Sequence, residues 1–299
     1  MPFHPLAWLR GLAADTAIRV LDVEDLFRRS AERLNIASYG CAGKLGYFQG
    51  SVRDRAVLLG YARERTWAPE VQHVLEQVLR RGGTLIDVGA NIGLTSIPIA
   101  VARAVRCYAF EPDPENYKFL LGNIAFNGAA TVRPFNCAIM AEDGPLTFER
   151  SINNMGDHRV RRGPRAPGEF AEDRREVIHV QGRRLDSALA TETLTPPVVL
   201  KVDTQGAEVQ VLSGAAGLLE RIDVAIFEFW PYGLRRMKDS TEDFYRLISA
   251  FPFGGILRDA PVEGMPTSAL IEVLRWQIPS DGSLIDWADI VLSRRKLGG

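Results

Sequence analysis

Four carboxylates stand at the ends of apolar runs that have the composition of buried strands. Asp87 ends the run TLID, and Glu111 follows RCYAF. Asp203 ends VVLKVD, and Glu228 lies near the end of DVAIFEF. Open α/β folds bind their ligands at the carboxyl ends of parallel strands, which meet at one edge of the sheet. The spacing therefore predicts that these four acids surround one crevice.

The segment DVGANIG joins the first of these runs to a helical stretch. Gly89 lets the chain turn and lets a ligand approach the bare backbone, and Gly93 permits close contact between helix and strand. Asn91 suits a position that requires a positive φ, because asparagine is one of the few residues that tolerate it. The segment is therefore a candidate nucleotide-binding turn. Asp87 also has a structural interpretation, as a strand-end acid that bonds loop amides.

Glu111 is placed to accept hydrogen bonds from both ribose hydroxyls of an adenosine. This position alone does not separate NAD from S-adenosylmethionine (SAM). The turn lacks the G-x-G-x-x-G arrangement that brings a pyrophosphate to a helix N-terminus, and Asp87 would repel phosphates. We therefore expect the cationic cofactor SAM, with an NAD-dependent dehydrogenase as the alternative.

Five blocks of sequence, in this order, resemble the FkbM-type family of SAM-dependent methyltransferases: DVGANIG, FEPDPENYKFLLGNIAFNG, RRLDSAL, LKVDTQGAEVQVLSGA and AIFEF. The resemblance covers roughly residues 59–229. It implies the α/β class I methyltransferase fold, a Rossmann-like, mostly parallel sheet of seven strands with helices on both faces. It also implies methylation of a hydroxyl on a sugar, a glycan or a glycosylated natural product. The alternatives are a polyketide or lipid alcohol as acceptor, and a SAM-binding protein without catalysis.

The resemblance extends the expected cofactor site beyond Asp87 and Glu111. It implies contacts from the glycine turn, from the residue after Glu111 and from the end of the third strand, near the adenine. The residues expected there are Gly89, Ala90, Asn91, Gly93, Thr95, Pro112, Asn136, Cys137 and Ala138, with Asp203 beside the methyl group.

Methyl transfer to a hydroxyl needs an aligned acceptor and a group that helps to remove its proton. Asp203 resembles the position at which this superfamily places an acid beside the methyl group, so we expect it to be catalytic. Glu228 is the second candidate. His158 is the third, because a long loop over the carboxyl edge could carry its imidazole to the acceptor. A solvated loop histidine is the alternative interpretation.

Metal and thiol chemistry find less support. Asp203, Glu228 and a water could hold a divalent ion, but no third carboxylate stands at an obvious spacing, so we do not favour a metal. Three cysteines without metal-ligand spacing predict neither a disulfide framework nor a zinc site. We expect Cys107 in the core and Cys137 as a packing residue near the adenine ring.

An arginine-rich stretch, residues 151–175, interrupts the pattern. Its arginines could bind a phosphate or carboxylate of the acceptor, and they are Arg159, Arg161, Arg162, Arg165, Arg174 and Arg175. Nearby acids partly neutralise them, namely Glu169, Glu172, Asp173 and Glu176. We therefore favour a solvated lid.

The elements that position these residues alternate between strand-like and helical patterns from Thr84 onward, which predicts a parallel sheet with crossover helices. Asp113 as cap and Pro114 in the first turn predict a helix over residues 114–126. Pro134 cannot donate to a ladder, so its strand is expected at an outer position. The segments PLTFER and EVIHVQG predict an inserted hairpin over about residues 142–182.

Residues 1–66 lack this alternation. We expect a helical accessory segment that packs on the core or the substrate site, because Val23, Leu26, Phe27 and Leu34 have helical spacing. Residues 67–299 are expected to form the methyltransferase domain.

The composition is that of an ordinary soluble globular protein, since 46% of the 299 residues are apolar and 24% are charged. The formal charge of −1 provides no global field for a nucleic acid or an anionic membrane. No run approaches the roughly 20 apolar residues of a membrane span, and the N-terminus lacks an export pattern. We expect a cytoplasmic protein with a small-molecule or glycan acceptor, no nucleic acid partner and no integral membrane segment; homo-oligomerisation is left open.

Overall fold

The computed structural model describes residues 29–31, 33–103, 105–162, 172–258, 264–281 and 286–296. The strands are β1 (Ser38–Gly43), β2 (Gly46–Ser51), β3 (Gly83–Val88), β4 (Val105–Phe110), β5 (Val132–Phe135), β6 (Ala138–Ile139), β7 (Gly144–Arg150), β8 (Arg159–Val160), β9 (Glu176–Arg183), β10 (Val198–Val202), β11 (Val224–Phe229), β12 (Phe253–Ile256), β13 (Met265–Pro266) and β14 (Ala288–Ser293). The α-helices are α1 (Val57–Glu64), α2 (Pro69–Val78), α3 (Ser96–Ala102), α4 (Pro114–Phe126), α5 (Leu185–Ala188), α6 (Glu208–Gly214), α7 (Pro231–Arg236), α8 (Thr241–Ile248) and α9 (Thr267–Gln277). None of these helices has both the length and the apolar character of a membrane span.

The central sheet has the strand order β13-β12-β14-β11-β10-β3-β4-β5. β3, β4, β5, β10 and β11 pair in parallel, and β14 runs antiparallel to both of its neighbours. Without the two-residue β13, the sheet has six strands in one direction and one reversed strand. This topology is that of a class I methyltransferase, and it confirms the predicted fold class.

The central strands are apolar along their whole length because both faces of the sheet are covered. All five residues of β10 are buried. Ile86 and Leu200 belong to one core cluster, and their neighbours Leu85 and Val199 belong to a second cluster. Because side chains alternate along a strand, each strand contributes residues to a separate hydrophobic core on each face of the sheet.

Two local predictions are confirmed in detail. Helix α4 begins at Pro114 and ends at Phe126, and the side chain of Asp113 accepts hydrogen bonds from two N–H groups of its first turn. Pro134 lies on β5, which pairs only with β4 and forms one edge of the central sheet. The capping residue was sufficient to predict where α4 begins, and the missing N–H donor of Pro134 was sufficient to predict the edge position of β5.

The predicted inserted hairpin is present. β7 and β9 pair antiparallel from Gly144 and Gly182 to Arg150 and Glu176. With β6 and β8 they form a second sheet of order β6-β9-β7-β8. Residues 163–171 of the arginine-rich stretch, with the predicted lid positions 165 and 169, lie outside the described residues.

The N-terminal segment differs from the expectation of a helical unit. β1 and β2 form an antiparallel hairpin before α1, and Val23, Leu26 and Phe27 lie outside the described residues. Phe48 and Leu58 are buried in the same core cluster as residues of β3. The described part of the segment therefore packs on the core, and a domain boundary at residue 66 stays a prediction.

Candidate active site

The carboxyl ends of β3, β10 and β11 bring three of the predicted acids to one edge of the central sheet. Asp87 lies on β3, and Glu228 lies on β11. Asp203 follows β10 between them, and its N–H donates to the carbonyl oxygen of Val88 at 3.0 Å. The Nε2 of Gln205 donates to Asp203 Oδ1 at 3.1 Å and to Glu228 Oε2 at 2.8 Å. The amide of Gln205 thus links two of the acids.

The turn after β3 has most of the backbone features that its sequence predicts. Asn91 has a φ of 51°, in the left-handed region. A Cβ on Gly93 would lie 2.8 Å from Leu120 Cδ1, so this glycine permits close packing against α4 instead of the predicted contact between helix and strand. Gly89 has a φ of 81°, as the predicted turn requires. A Cβ there would lie 1.9 Å from the carbonyl oxygen of Asp203, so the neighbouring strand end already requires the glycine, and the approach of a ligand stays a prediction.

Lys201 is a site residue that the motif search did not single out. Its Nζ donates to the carbonyl oxygen of Gly89 at 3.2 Å. It also lies 3.4 Å from Asp87 Oδ1 and 3.5 Å from Asp203 Oδ2. Burial opposes its charge, but the two carboxylates outweigh burial and raise the pKa of Lys201. The available signal was a lone lysine inside an apolar strand, since a buried ammonium needs an anionic partner.

Asp87 lies beneath the turn and is fully buried. Its carboxylate receives no hydrogen bond from a loop amide within the described residues, and the ammonium of Lys201, 3.4 Å from its Oδ1, is its charge partner. Burial raises the pKa of Asp87, and Lys201 opposes that shift. The alternative interpretation, an acid that bonds loop amides, is therefore not observed. A contact with the cofactor stays a prediction.

Glu111 connects the turn to the start of α4. Its Oε2 accepts from Asn91 N at 2.8 Å, and its Oε1 accepts from Asp113 N at 2.9 Å. Its own carbonyl oxygen and that of the half-buried Pro112 accept from Asn136 Nδ2 at 2.8 and 3.1 Å. Burial raises the pKa of Glu111 to about 8. The side chain thus braces the turn against the start of α4, and its predicted hydrogen bonds to ribose stay a prediction.

The residues predicted beside the adenine follow β5. Asn136 is exposed, whereas Cys137 and Ala138 are buried. Burial raises the pKa of the Cys137 thiol to about 11, as expected of a packing residue rather than a reactive thiol. Ala90 and Thr95, predicted as contacts near the glycine turn, are also buried.

Glu228 has a second acidic neighbour that the sequence analysis missed. Asp289 lies opposite it in the β11–β14 register. Burial raises the pKa of Glu228 well above its usual range, and the charges of Asp203 and Asp289 add to this shift. Burial likewise raises the pKa of Asp289 to about 7, with a contribution from Asp203. This end of the site therefore retains protons that isolated carboxyl groups release below neutral pH.

The structure contradicts the expected role of His158 as an accessible base. The residue is 8% exposed, and its Nδ1 accepts from Ser151 N at 3.0 Å. Its Nε2 is buried and has no hydrogen-bond partner within the described residues. Burial, together with Arg150 and Arg175, lowers the pKa of His158 to about 3. The imidazole packs under the hairpin and has no surface for an acceptor, so the alternative of a solvated histidine is also wrong.

The described arginines of residues 151–175 are also less solvated than a lid would require. Arg159 and Arg175 are buried, and both contact the carboxylate of Asp157. Arg162 and Arg174 are exposed. The stretch therefore combines buried ion pairs with surface charges, because β8 and β9 fold part of it into the second sheet.

The loop before β8 lies against the glycine turn. The carbonyl oxygen of Met155 accepts from Asn91 Nδ2 at 2.8 Å and from Asn116 Nδ2 at 3.0 Å. The N–H of Met155 donates to Asp54 Oδ1 at 3.2 Å. This loop is thus fixed by the turn, by α4 and by the residue that precedes α1. No local sequence signal identifies these partners.

The donor set at the carboxyl edge fits a cationic cofactor better than a phosphorylated one. The carboxylates of Asp87, Asp203 and Glu228 gather there around the ammonium of Lys201. Within the ranges that the structure describes, no group of three or more His, Cys, Asp and Glu side chains could hold a metal ion.

Sequence comparison relates the chain to known methyltransferases. The model of the methyltransferase FkbM domain matches residues 87–251, which include the glycine turn and the strand ends at Asp203 and Glu228. Hexuronic acid methyltransferase AglP of Haloferax volcanii is 29% identical over 160 residues, which are 53% of this chain and 61% of that protein. Methyltransferase sdnD of Sordaria araneosa is 28% identical over 176 residues, which are 50% of this chain and 68% of that protein. The alignment thus spans about three fifths of the length of AglP.

Among solved structures, a precorrin-6y C5,15-methyltransferase from Geobacter metallireducens aligns with 75% of this chain and 88% of its own. The sequence identity is 12% and the TM-score is 0.39.

Proposed function

The chain belongs to the FkbM family of methyltransferases, and we propose that it transfers a methyl group from SAM to a hydroxyl of a sugar, a glycan or a glycosylated natural product. The observation that carries this proposal is the family match over residues 87–251, which contains the whole acidic edge from Asp87 to Glu228. The similarity to a hexuronic acid methyltransferase supports a sugar as the acceptor. A cytoplasmic location and a small-molecule or glycan partner belong to the same proposal.

In this proposal SAM binds at the glycine turn. Gly89 and Asn91 present the turn backbone, Glu111 holds that turn in place, and Asn136 contributes an exposed side chain near the adenine. When bound, SAM supplies an electrophilic methyl group on a sulfonium, whose positive charge the carboxylates at this edge stabilise. The transfer forms a bond from the acceptor oxygen to the methyl carbon as the carbon–sulfur bond breaks, which leaves a neutral thioether.

Asp203 is the carboxylate that we assign to the acceptor proton. Its side chain is 44% exposed, whereas that of Asp87 is fully buried. A substrate hydroxyl can therefore reach Asp203 and pass its proton to the carboxylate as the new bond forms. Burial raises the pKa of Glu228 well above its usual range and so favours its neutral form, which suits a hydrogen-bond donor to the acceptor rather than a second base.

The first test is calorimetry with SAM, followed by an assay of its conversion to S-adenosylhomocysteine. The assay should compare uronic-acid glycans, neutral glycans, lipid alcohols and polyketide alcohols at equal concentration. We expect micromolar binding and turnover with at least one class of saccharide. Binding without turnover on any acceptor would indicate a non-catalytic SAM-binding protein, and turnover on a lipid or polyketide alcohol alone would reject the sugar. If SAM does not bind, the methyltransferase proposal is wrong.

A further inference from the structure

Lys201 lies at the centre of the candidate active site, on the strand between β3 and β11. It stands beside Asp87 in the β3–β10 register, and its side chain is 10% exposed. An ammonium group has three N–H donors, and three oxygens lie within 3.5 Å of its Nζ: Gly89 O, Asp87 Oδ1 and Asp203 Oδ2. The number of acceptors thus matches the number of donors.

The two carboxylates around Lys201 differ in access to solvent. The side chain of Asp87 is 0% exposed, and that of Asp203 is 44% exposed. A lysine is stable in such a place only when opposite charge compensates its lost hydration. Asp87 supplies that charge from below, so the ammonium can also act on Asp203 at the surface of the site.

Both carboxylate oxygens of Asp203 have a partner. Oδ2 faces Lys201, and Oδ1 accepts from the amide of Gln205. The same ammonium bonds the carbonyl oxygen of Gly89 in the glycine turn. Lys201 therefore fixes the orientation of the Asp203 side chain relative to the turn at which the cofactor is proposed to bind.

The charged groups around Asp203 come from four segments of the described structure. They are Asp87 on β3, Lys201 on β10, Glu228 on β11 and Asp289 on β14. The three acids repel the Asp203 carboxylate when they are ionised, and the ammonium attracts it. Lys201 therefore opposes the effect of three carboxyl groups.

We propose that Lys201 is a positioning residue for the proposed methyl transfer, in that its ammonium holds the Asp203 carboxylate toward the acceptor beside the Gly89 turn. The inference rests on the proposed function, in which Asp203 takes the hydroxyl proton. Lys201 itself transfers no proton and does not touch the acceptor.

The test is a double-mutant cycle of Lys201→Met and Asp203→Asn, with kcat, the KM of the acceptor, SAM affinity and Tm measured for each variant. We expect Lys201→Met to lower kcat at least about tenfold, while the KM of the acceptor and the SAM affinity change less than about threefold. In the Asp203→Asn background the same change should alter kcat less than about twofold, because its target is gone.

Two further variants complete the test. Lys201→Arg retains the charge and should restore kcat to within about threefold of the wild type. If Lys201→Met does not fold, Asp87→Asn combined with Lys201→Met removes the buried pair together, and its kcat at saturating SAM should still fall at least about tenfold. Equal losses of kcat in both Asp203 backgrounds would mean a purely structural lysine. Wild-type protein without SAM binding or turnover would refute the proposed function instead.

Discussion

At the scale of single residues, the carboxyl groups of this site have different physical roles despite their common position at strand ends. Asp87 is buried against Lys201, and Glu111 accepts two backbone N–H groups. Glu228 shares the amide of Gln205 with Asp203. Exposure separates Asp203 from the buried Asp87 and Glu111, since only a carboxylate that reaches solvent can meet an acceptor hydroxyl. This is the reason for assigning the acceptor proton to Asp203.

Replacement of Asp203 should separate binding from chemistry. Asp203→Asn keeps the shape of the side chain and removes the base, so we expect kcat to fall about 100-fold or more and SAM affinity to change less than about threefold. Initial rates and calorimetry measure the two quantities.

The matched control for Asp203 is Asp223→Asn. Asp223 bonds Val198 N at the amino end of β10, on the opposite edge of the sheet. Its replacement should leave kcat within about twofold of the wild type. If Asp203→Asn loses SAM binding and turnover together, Asp203 is a cofactor or folding residue and the assignment is wrong.

At the scale of elements, the inserted hairpin is attached to the side of the core that carries the glycine turn. Arg150, the last residue of β7, places its Nε 2.7 Å from Asp113 Oδ2, and Asp113 caps α4. The Met155 loop bonds Asn91 and Asn116. Through these contacts, α4 holds both the hairpin and the glycine turn. The order of the loop should therefore depend on the buried amides of α4.

Asn116→Ala removes one of the two side-chain donors to the carbonyl oxygen of Met155. We expect a loss of about 1 kcal/mol in the free energy of unfolding and faster hydrogen exchange of residues 151–158. Exchange measured by mass spectrometry and urea denaturation test the two effects.

Asn123→Ala is the control on the same helix. Asn123 is equally buried, but it bonds Gln49 and Ile92 instead of the Met155 loop. It should destabilise the protein without selective exchange in residues 151–158. Identical exchange patterns in the two variants would show that α4 does not order the loop through Asn116.

At the scale of the whole molecule, the fold concentrates protonated acids at one edge. Burial raises the pKa of Glu208 and Asp289 to about 7 and that of Glu111 to about 8. It also raises the pKa of Glu228 well above its usual range. Each group binds more protons in the folded than in the unfolded chain, so its contribution to stability is lost as pH rises through the folded pKa. The free energy of unfolding is therefore expected to fall as the pH rises from neutral to alkaline.

The Tm of the ligand-free protein should fall by at least about 3 °C between pH 6.5 and 8.5. Unfolded carboxyl groups are fully ionised in this window. His158, whose lowered pKa favours folding above its unfolded value, adds only a small opposing slope there, because about half of the unfolded imidazole is already neutral at pH 6.5. Calorimetric scans across the window measure the effect.

Asp289→Asn removes one of the titrating groups and should reduce the slope of Tm against pH. Asp223→Asn, at the other edge of the sheet, should leave the slope unchanged. A Tm that is constant or rises over pH 6.5–8.5 in the wild type would contradict the linkage.

From β3 onward, the sequence by itself determined the alternation of strands and helices, whereas it missed the β1–β2 hairpin. Capping and proline chemistry located α4 and the outer strand β5, and strand-end acids located the candidate active edge, because these signals act within a few neighbouring residues. Tertiary structure decided what those side chains contact. The Asp54–Met155 hydrogen bond joins residues 101 positions apart, and the burial of His158 depends on a hairpin closing over it. Lys201 illustrates the difference. Its position in a strand could be predicted from the sequence, but its charge partners come from a neighbouring strand and from the turn after its own strand. Local patterns specify backbone conformation, whereas burial and charge pairing arise only when distant segments pack together.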